Sequence, residues 1–299
     1  MAKESEKPPV FQYLFDRRYD WNQQTFTPLT VTQEEIQDAI GQLRDEGNTL
    51  STGNPANFMK DFLRGINRNA QWPEAIANAR YTARQAYGEG RVFDFVPYQP
   101  GQTVPFPDDF ALPAEPVLHA IETLSMPAIA RKVGRPDDPW LMQVCVQQRI
   151  LHTHFAVYSE IQVIDFHHLQ STLKGTPSLD ALFLLTFDAG DRLQKALVTF
   201  EAARTAPILP DQIKAQAAAM AGRCQRTDGL GDIDFILPVA ANTTTVGSSS
   251  VIAMFEMERI AVEEGREALR EDRTHELPLL ITRMVGYTLN PKVAGIFGK

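Results

Sequence analysis

A mixed α/β (α+β) fold, in which helices flank a central mixed β-sheet behind a mainly helical N-terminal region, is the class this sequence predicts. Three observations predict it. Residues 32 to 90 carry helix start signals and apolar residues at helical spacing, residues 179 to 204 hold two apolar strand-like runs around a turn, and helix-like and strand-like segments alternate from 211 onward. With 299 residues, 43% of them hydrophobic and 22% charged, the chain has the composition of an ordinary globular protein and the length of one large domain or two.

Taken in order, Thr32-Gln33-Glu34-Glu35 is a capping box, followed by Ile36, Ile40 and Leu43 at helical spacing. Asn54-Pro55 is a second start signal, after which Phe58, Phe62 and Ile66 form an apolar stripe. Arg91 to Tyr98 alternates like a short strand. Prolines at 97, 100, 105, 107, 113 and 116 then exclude a regular element until about Val117, which sets the expected division at 1–116 and 117–299. Pro139 to roughly Leu169 reads as a buried helix, broken once, and leads through Gly175-Thr176-Pro177 into the paired runs. Beyond these come a helix from Asp211 to Arg223, a strand from Asp232 to Val239, a polar loop from Asn242 to Ser250, a strand from Val251 to Met257, and a charged amphipathic helix to about Arg273.

Composition narrows the function. No run approaches the ~18 apolar residues of a membrane span, and the N-terminus lacks the apolar core of a secretion signal, so neither a membrane nor export is expected. Cys145 and Cys224 lack metal-ligand spacing and read as buried free thiols, in keeping with a reducing cytoplasm. A net charge of −8 argues against indiscriminate polyanion binding, because phosphate contacts need a local basic surface. Gly229-Leu230-Gly231 lacks the lysine and helix of a phosphate-binding loop, and His152, His154, His167 and His168 are spaced wrongly for a mononuclear metal site on a helix.

Leu179 to Arg204 carries the chemistry. Asp188-Ala189-Gly190-Asp191 is a turn that lets the two apolar runs pair antiparallel, which brings Asp180, at the start of the first, beside Glu201, at the end of the second. Two adjacent carboxylates suit a hard, oxygen-seeking cation such as Mg²⁺. The bland alternative makes Asp180 a turn-capping acid and Glu201 an exposed strand-end acid.

Asp at the head of one strand with Glu-x-Lys at the tail of the next is the signature of the PD-(D/E)xK nuclease superfamily, and this hairpin resembles that of type II restriction endonucleases. The sequence departs from the motif at one position, where Ala203 replaces the lysine. The resemblance implies a restriction-endonuclease-like core over 117–299, a sequence-specific homodimer that cuts double-stranded DNA with Mg²⁺, and a cognate DNA methyltransferase in the same cell. It also implies a metal cage of Asp180, Glu201 and the Ala202 carbonyl, an additional acid at Glu160 in the preceding helix, and a glutamine motif at Gln212 and Gln216. For Glu160 and both glutamines, plain polar helix surface is the alternative. Arg204 and Lys214 are the cations that could replace the missing lysine. A non-catalytic DNA-binding protein on a decayed nuclease fold is the competing account of Ala203.

DNA contact requires clustered cations. Lys60, Arg64, Arg68, Arg80, Arg84 and Arg91 give residues 54–91 a local excess of three positive charges, the first three recurring every four residues along one expected helix edge. Arg131, Lys132 and Arg135 form a second basic segment, and Arg204, Lys214, Arg223 and Arg226 a third. Each cluster could equally be a solvated face.

Overall fold

The computed structural model describes residues 6–27, 29–44, 47, 49–51, 53–88, 90–175 and 177–297. The chain divides between Asp109 and Phe110, somewhat before the expected 116/117, into two units.

The first unit runs α1 (Lys7–Asp16), β1 (Tyr19–Asp20), β2 (Thr25–Phe26), β3 (Thr30–Thr32), α2 (Gln33–Leu43), α3 (Phe58–Leu63), α4 (Arg68–Gln71), α5 (Glu74–Asn78), β4 (Tyr81–Gln85) and β5 (Arg91–Pro97). The capping box forms as the sequence predicts: Glu35 N donates to Thr32 Oγ1 at 3.3 Å and Thr32 N to Glu35 Oε2 at 2.8 Å. The region is not a run of helices, however. Strands β3, β5 and β4 make an antiparallel sheet, because Arg80, at φ 63°, turns the chain out of α5 and Tyr81-Thr82 favour extended backbone. Phe11 joins the layers, with Phe58, Phe62, Trp72 and Phe93 all within 5.4 Å between ring centroids.

The second unit runs β6 (Leu118–Glu122), α6 (Ala128–Lys132), α7 (Asp138–Gln147), α8 (Ile150–Val157), β7 (Gln162–Leu173), β8 (Leu179–Asp188), β9 (Leu193–Ala203), α9 (Pro210–Arg226), β10 (Phe235–Val246), β11 (Ser249–Met257), β12 (Ile260–Ala261), α10 (Val262–Arg270) and β13 (Ile281–Asn290). Its sheet has the order β6-β13-β11-β10-β9-β8-β7, with β12 beside β10. It is mixed, since β9 lies parallel to β10 and β13 to β6 while the other pairs are antiparallel. On one face Leu141, Cys145, Leu151 and Phe155 of α7 and α8 pack on Phe183, Val198 and Phe200. On the other, Ala217, Ala218, Ala221 and Cys224 of α9 pack on Leu182, Leu197 and Ile236. Fully burying a Leu- or Phe-sized side chain stabilises the fold by about 1.5–3 kcal/mol. Gly265 lets α10 settle on α9, for a Cβ there would stand 2.8 Å from Ala221 Cβ.

Two expectations are overturned in this unit. The helix expected from Pro139 to about Leu169 breaks at Arg149, which sits at φ 53°, and ends at Val157; Gln162–Leu173 is instead the edge strand β7. Only one face of an edge strand is covered, and bulges between Val163 and Asp165 and between His168 and Gln170 scramble its alternation. The polar segment after Asn242 is strand rather than loop, because Thr243, Thr244 and Thr245 continue β10 against β11 until Gly247 turns the chain. Strands β6 and β13, which lie outside the elements expected from the sequence, complete the sheet. Among the described residues, no helix is long and apolar enough to cross a membrane.

Cys145 and Cys224 are free and buried on opposite faces of the sheet, and burial pushes their thiols up to about 12 and about 11. Both should therefore stay protonated and covered at about pH 8. An aromatic disulfide reagent is expected to label neither in the native chain and both in denaturant; rapid labelling of the native chain would contradict the packing.

Candidate functional site

The β8–β9 hairpin aligns the acidic pair. Gly190, at φ 92°, makes the turn, and Asp188 Oδ1 accepts from Gly190 N at 2.7 Å. The ladder pairs Ala181 with Phe200, so Asp180 stands abreast of Glu201 one step further along. Strand alternation puts Asp180 on the face of Leu182 and Leu184, and Glu201 on the face of Leu197 and Ala203, which is the α9 face in both cases. Asp180 Oδ2 accepts from Ala202 N at 2.8 Å, a carboxylate-to-backbone bond that ties the start of β8 to the end of β9.

Glu201 is buried, and its carboxylate is solvated by protein. Gln212 Nε2 donates to Oε1 at 2.6 Å and Gln216 Nε2 to Oε2 at 2.6 Å; the latter amide also reaches Ser178 O at 2.7 Å. Both glutamines are buried and lie one turn apart on α9, which Pro210 opens at its first turn. Helical spacing of four residues therefore aims two amides at one carboxylate. Hydrogen bonds to a charged group contribute about 1.5–3 kcal/mol each, which offsets the cost of taking that charge out of water.

Ala203 is buried at 4% exposure in an apolar cluster with Phe110, Ile208, Ile213, Ala240 and Phe255. The two cations expected to stand in for a lysine hold other groups. Arg204 Nε donates to Gly295 O at 2.7 Å and Nη2 to Phe297 O at 3.2 Å, while Lys214 Nζ donates to His275 O at 2.9 Å. Glu160 lies in the bend between α8 and β7 rather than in a helix, with its exposed carboxylate on Arg283 at 2.5 Å. Its neighbour Ser159 bonds Glu256, which faces α8, so Glu160 belongs to the opposite side of the sheet from Glu201.

The expected basic helix edge is also broken. Helix α3 ends at Leu63, leaving Lys60 inside it, Arg64 at its end and Arg68 in α4. Gly65 intervenes, and Ile66 is exposed. Arg68 is buried, donating to Leu63 O at 2.9 Å and Pro107 O at 3.3 Å. Burial lowers its pKa, opposed by Asp108 and Asp109. Arg80 stacks on Tyr98 with its guanidinium carbon 4.6 Å from the ring centre, and Arg84 pairs with Asp94 at 3.2 Å. In the second basic segment, Arg131 bonds the Thr123 carbonyl at 3.0 Å, Arg135 pairs with Asp137 at 3.2 Å, and Lys132 is exposed. Arg223 and Arg226 lie in the last turns of α9.

A second buried polar group escapes a reading of the sequence. His154 Nε2 lies 3.0 Å from Glu256 Oε2 and its Nδ1 3.0 Å from Tyr287 Oη, while Ser159 Oγ donates to Glu256 Oε1 at 2.7 Å. This network joins α8, β11 and β13, and burial pushes the Tyr287 hydroxyl up. The available signal is the lone acid in the apolar run Val251-Ile252-Ala253-Met254-Phe255-Glu256-Met257.

Among the described residues, no three His, Cys, Asp or Glu side chains gather as a metal site. The Asp180–Glu201 pair is made of oxygen donors, the type that suits Mg²⁺. Comparison with protein-family models, curated proteins and solved structures returned no match.

Glu201→Ala should take the acceptor from the buried Gln212 amide, leave the Gln216 amide with Ser178 O alone, and lower the unfolding free energy by about 2–4 kcal/mol, with Glu201→Gln recovering part of it. Urea denaturation measures this, and an unchanged midpoint for Glu201→Ala would refute the contacts. Arg68→Ala should likewise destabilise by about 2–4 kcal/mol by removing its carbonyl bonds, without altering the salt dependence of DNA binding. A fall in that salt dependence with unchanged stability would return Arg68 to the surface.

Proposed function

We propose that this chain binds double-stranded DNA site-specifically on a PD-(D/E)xK, restriction-endonuclease-like core, in a form that lacks the motif's lysine and cuts very slowly. The observation that carries this reading is the placing of Asp180 and Glu201 abreast on one sheet face, with Gln212 and Gln216 fixing the Glu201 carboxylate.

Hydrolysis of a phosphodiester needs a positioned water and relief of the charge that develops on phosphate. A bound Mg²⁺ would supply Lewis-acid polarisation and lower the pKa of that water. Glu201, held by two amides, and Asp180, held by Ala202 N, would present it with oxygens whose orientation is set before DNA arrives. The position where the motif has its lysine is Ala203 here, and the guanidinium of Arg204, which follows it, is bonded to Gly295 O and Phe297 O. Absence of one such preorganised donor costs on the order of 10²–10³ in rate. On this reading the protein acts as a homodimer in a cell with a protecting methyltransferase.

The burial of Ala203 among apolar side chains, with Arg204 and Lys214 engaged elsewhere, favours a second reading, a non-catalytic DNA-binding protein on the same scaffold. Ala203→Lys distinguishes the two. On the first reading it raises Mg²⁺-dependent cleavage of plasmid DNA at discrete sites by at least ~10², and the added change Glu201→Ala removes that gain. If Ala203→Lys melts like the parent and binds DNA but cuts nothing in Mg²⁺ or Mn²⁺, the second reading takes its place. If neither protein binds DNA, both readings fall.

A further inference from the structure

A cleft of about 210 Å³ opens beside the Glu201 site, between the end of β7, the segment leading into β8, and α9. Leu173, Leu179 and Met220 form apolar wall, and Gln216, Arg223 and Arg226 supply its polar groups. No acidic residue lines it, and among the described residues neither arginine forms an ion pair. In a chain of net charge −8, two guanidiniums facing one concavity without a carboxylate are a local reversal of sign.

We propose that this cleft is an oxyanion site that takes one phosphate group, held by Arg223 and Arg226 next to the glutamine that fixes Glu201. At about 210 Å³ the cleft is below the ~300–1,000 Å³ of sites for larger small molecules. Arg223 is positioned for the role: Nη2 donates to Lys174 O at 3.2 Å, and Gly175 makes room for it, since a Cβ there would lie 2.9 Å from that nitrogen. The guanidinium fork matches phosphate oxygens in pairs. The C-terminal end of α9 carries only about half a negative charge, which two full positive charges outweigh.

Gln216 connects the cleft to the acids, since its amide nitrogen is already committed to Glu201 Oε2 and Ser178 O. A phosphate seated in the cleft is therefore a short step along α9 from the Asp180–Glu201 pair. A DNA backbone phosphate as the occupant rests on the function proposed above, whereas the oxyanion site itself does not.

The test has two arms. Inorganic phosphate is titrated by calorimetry, at ionic strength matched with chloride, into the full chain, into Arg223→Gln/Arg226→Gln, and into Arg226→Gln alone, which removes a side chain with no hydrogen bond to lose among the described residues. Saturable binding is expected in the parent, weakened at least tenfold in the double variant and measurably in the single one. Absence of saturable binding in the parent, or equal binding by all three proteins, overturns the site. The second arm measures the salt dependence of duplex DNA binding, whose slope should fall by ~0.9 in the double variant because one backbone phosphate is no longer neutralised. Phosphate binding with an unchanged DNA slope supports the oxyanion site and overturns DNA as its occupant. Failure of the parent to bind duplex at all overturns the DNA reading, leaving the calorimetric result to stand for the site.

Discussion

Burying the Glu201 carboxylate sets the terms for much of the second unit. A charge at the end of a central strand has to be solvated by something other than water, and here two glutamines one helical turn apart do so. That requirement fixes the rotation of α9 on the sheet and the register at which it starts. It also draws in the segment before β8, because Gln216 bridges Glu201 and Ser178. The alanine-rich inner face of α9 follows from the same constraint, for only small side chains let the helix come close enough for two amides to reach.

The opposite face of the sheet meets the same problem differently. Glu256 is satisfied by a histidine, a serine and, through the histidine, a tyrosine, none of them its neighbour in sequence. The glutamine solution is local to one helix, with one amide on each oxygen of the acid. The histidine solution stitches distant elements together.

Features carried by local spacing were legible in the sequence. The capping box at Thr32, the hairpin turn around Gly190 and the four-residue spacing of Gln212 and Gln216 each depend on residues within one turn of chain, and each stands where its pattern puts it. Features decided by distant partners were not. β7 lacks a clean alternation because of its two bulges and is held as a strand by pairing with β8, and β6 joins β13 across more than half of the unit. The four-residue spacing of Lys60, Arg64 and Arg68 exists in the sequence, but the helix that would give it meaning ends before Gly65, and Arg68 turns inward to backbone carbonyls. A count of cations therefore overstates the basic surface, since Arg68, Arg84, Arg131 and Arg204 hold the fold's own oxygens.

The bond from Ala202 N to Asp180 has a consequence of a different kind. Because the donor is main chain, it is the same whatever side chains β9 carries at 202 and 203. This bond does not depend on the side chain at 203, where a change is felt in the packing against the apolar cluster of Phe110, Ile208, Ile213, Ala240 and Phe255. A side-chain change at 202 or 203 therefore leaves in place the bond that holds the start of β8 against the end of β9.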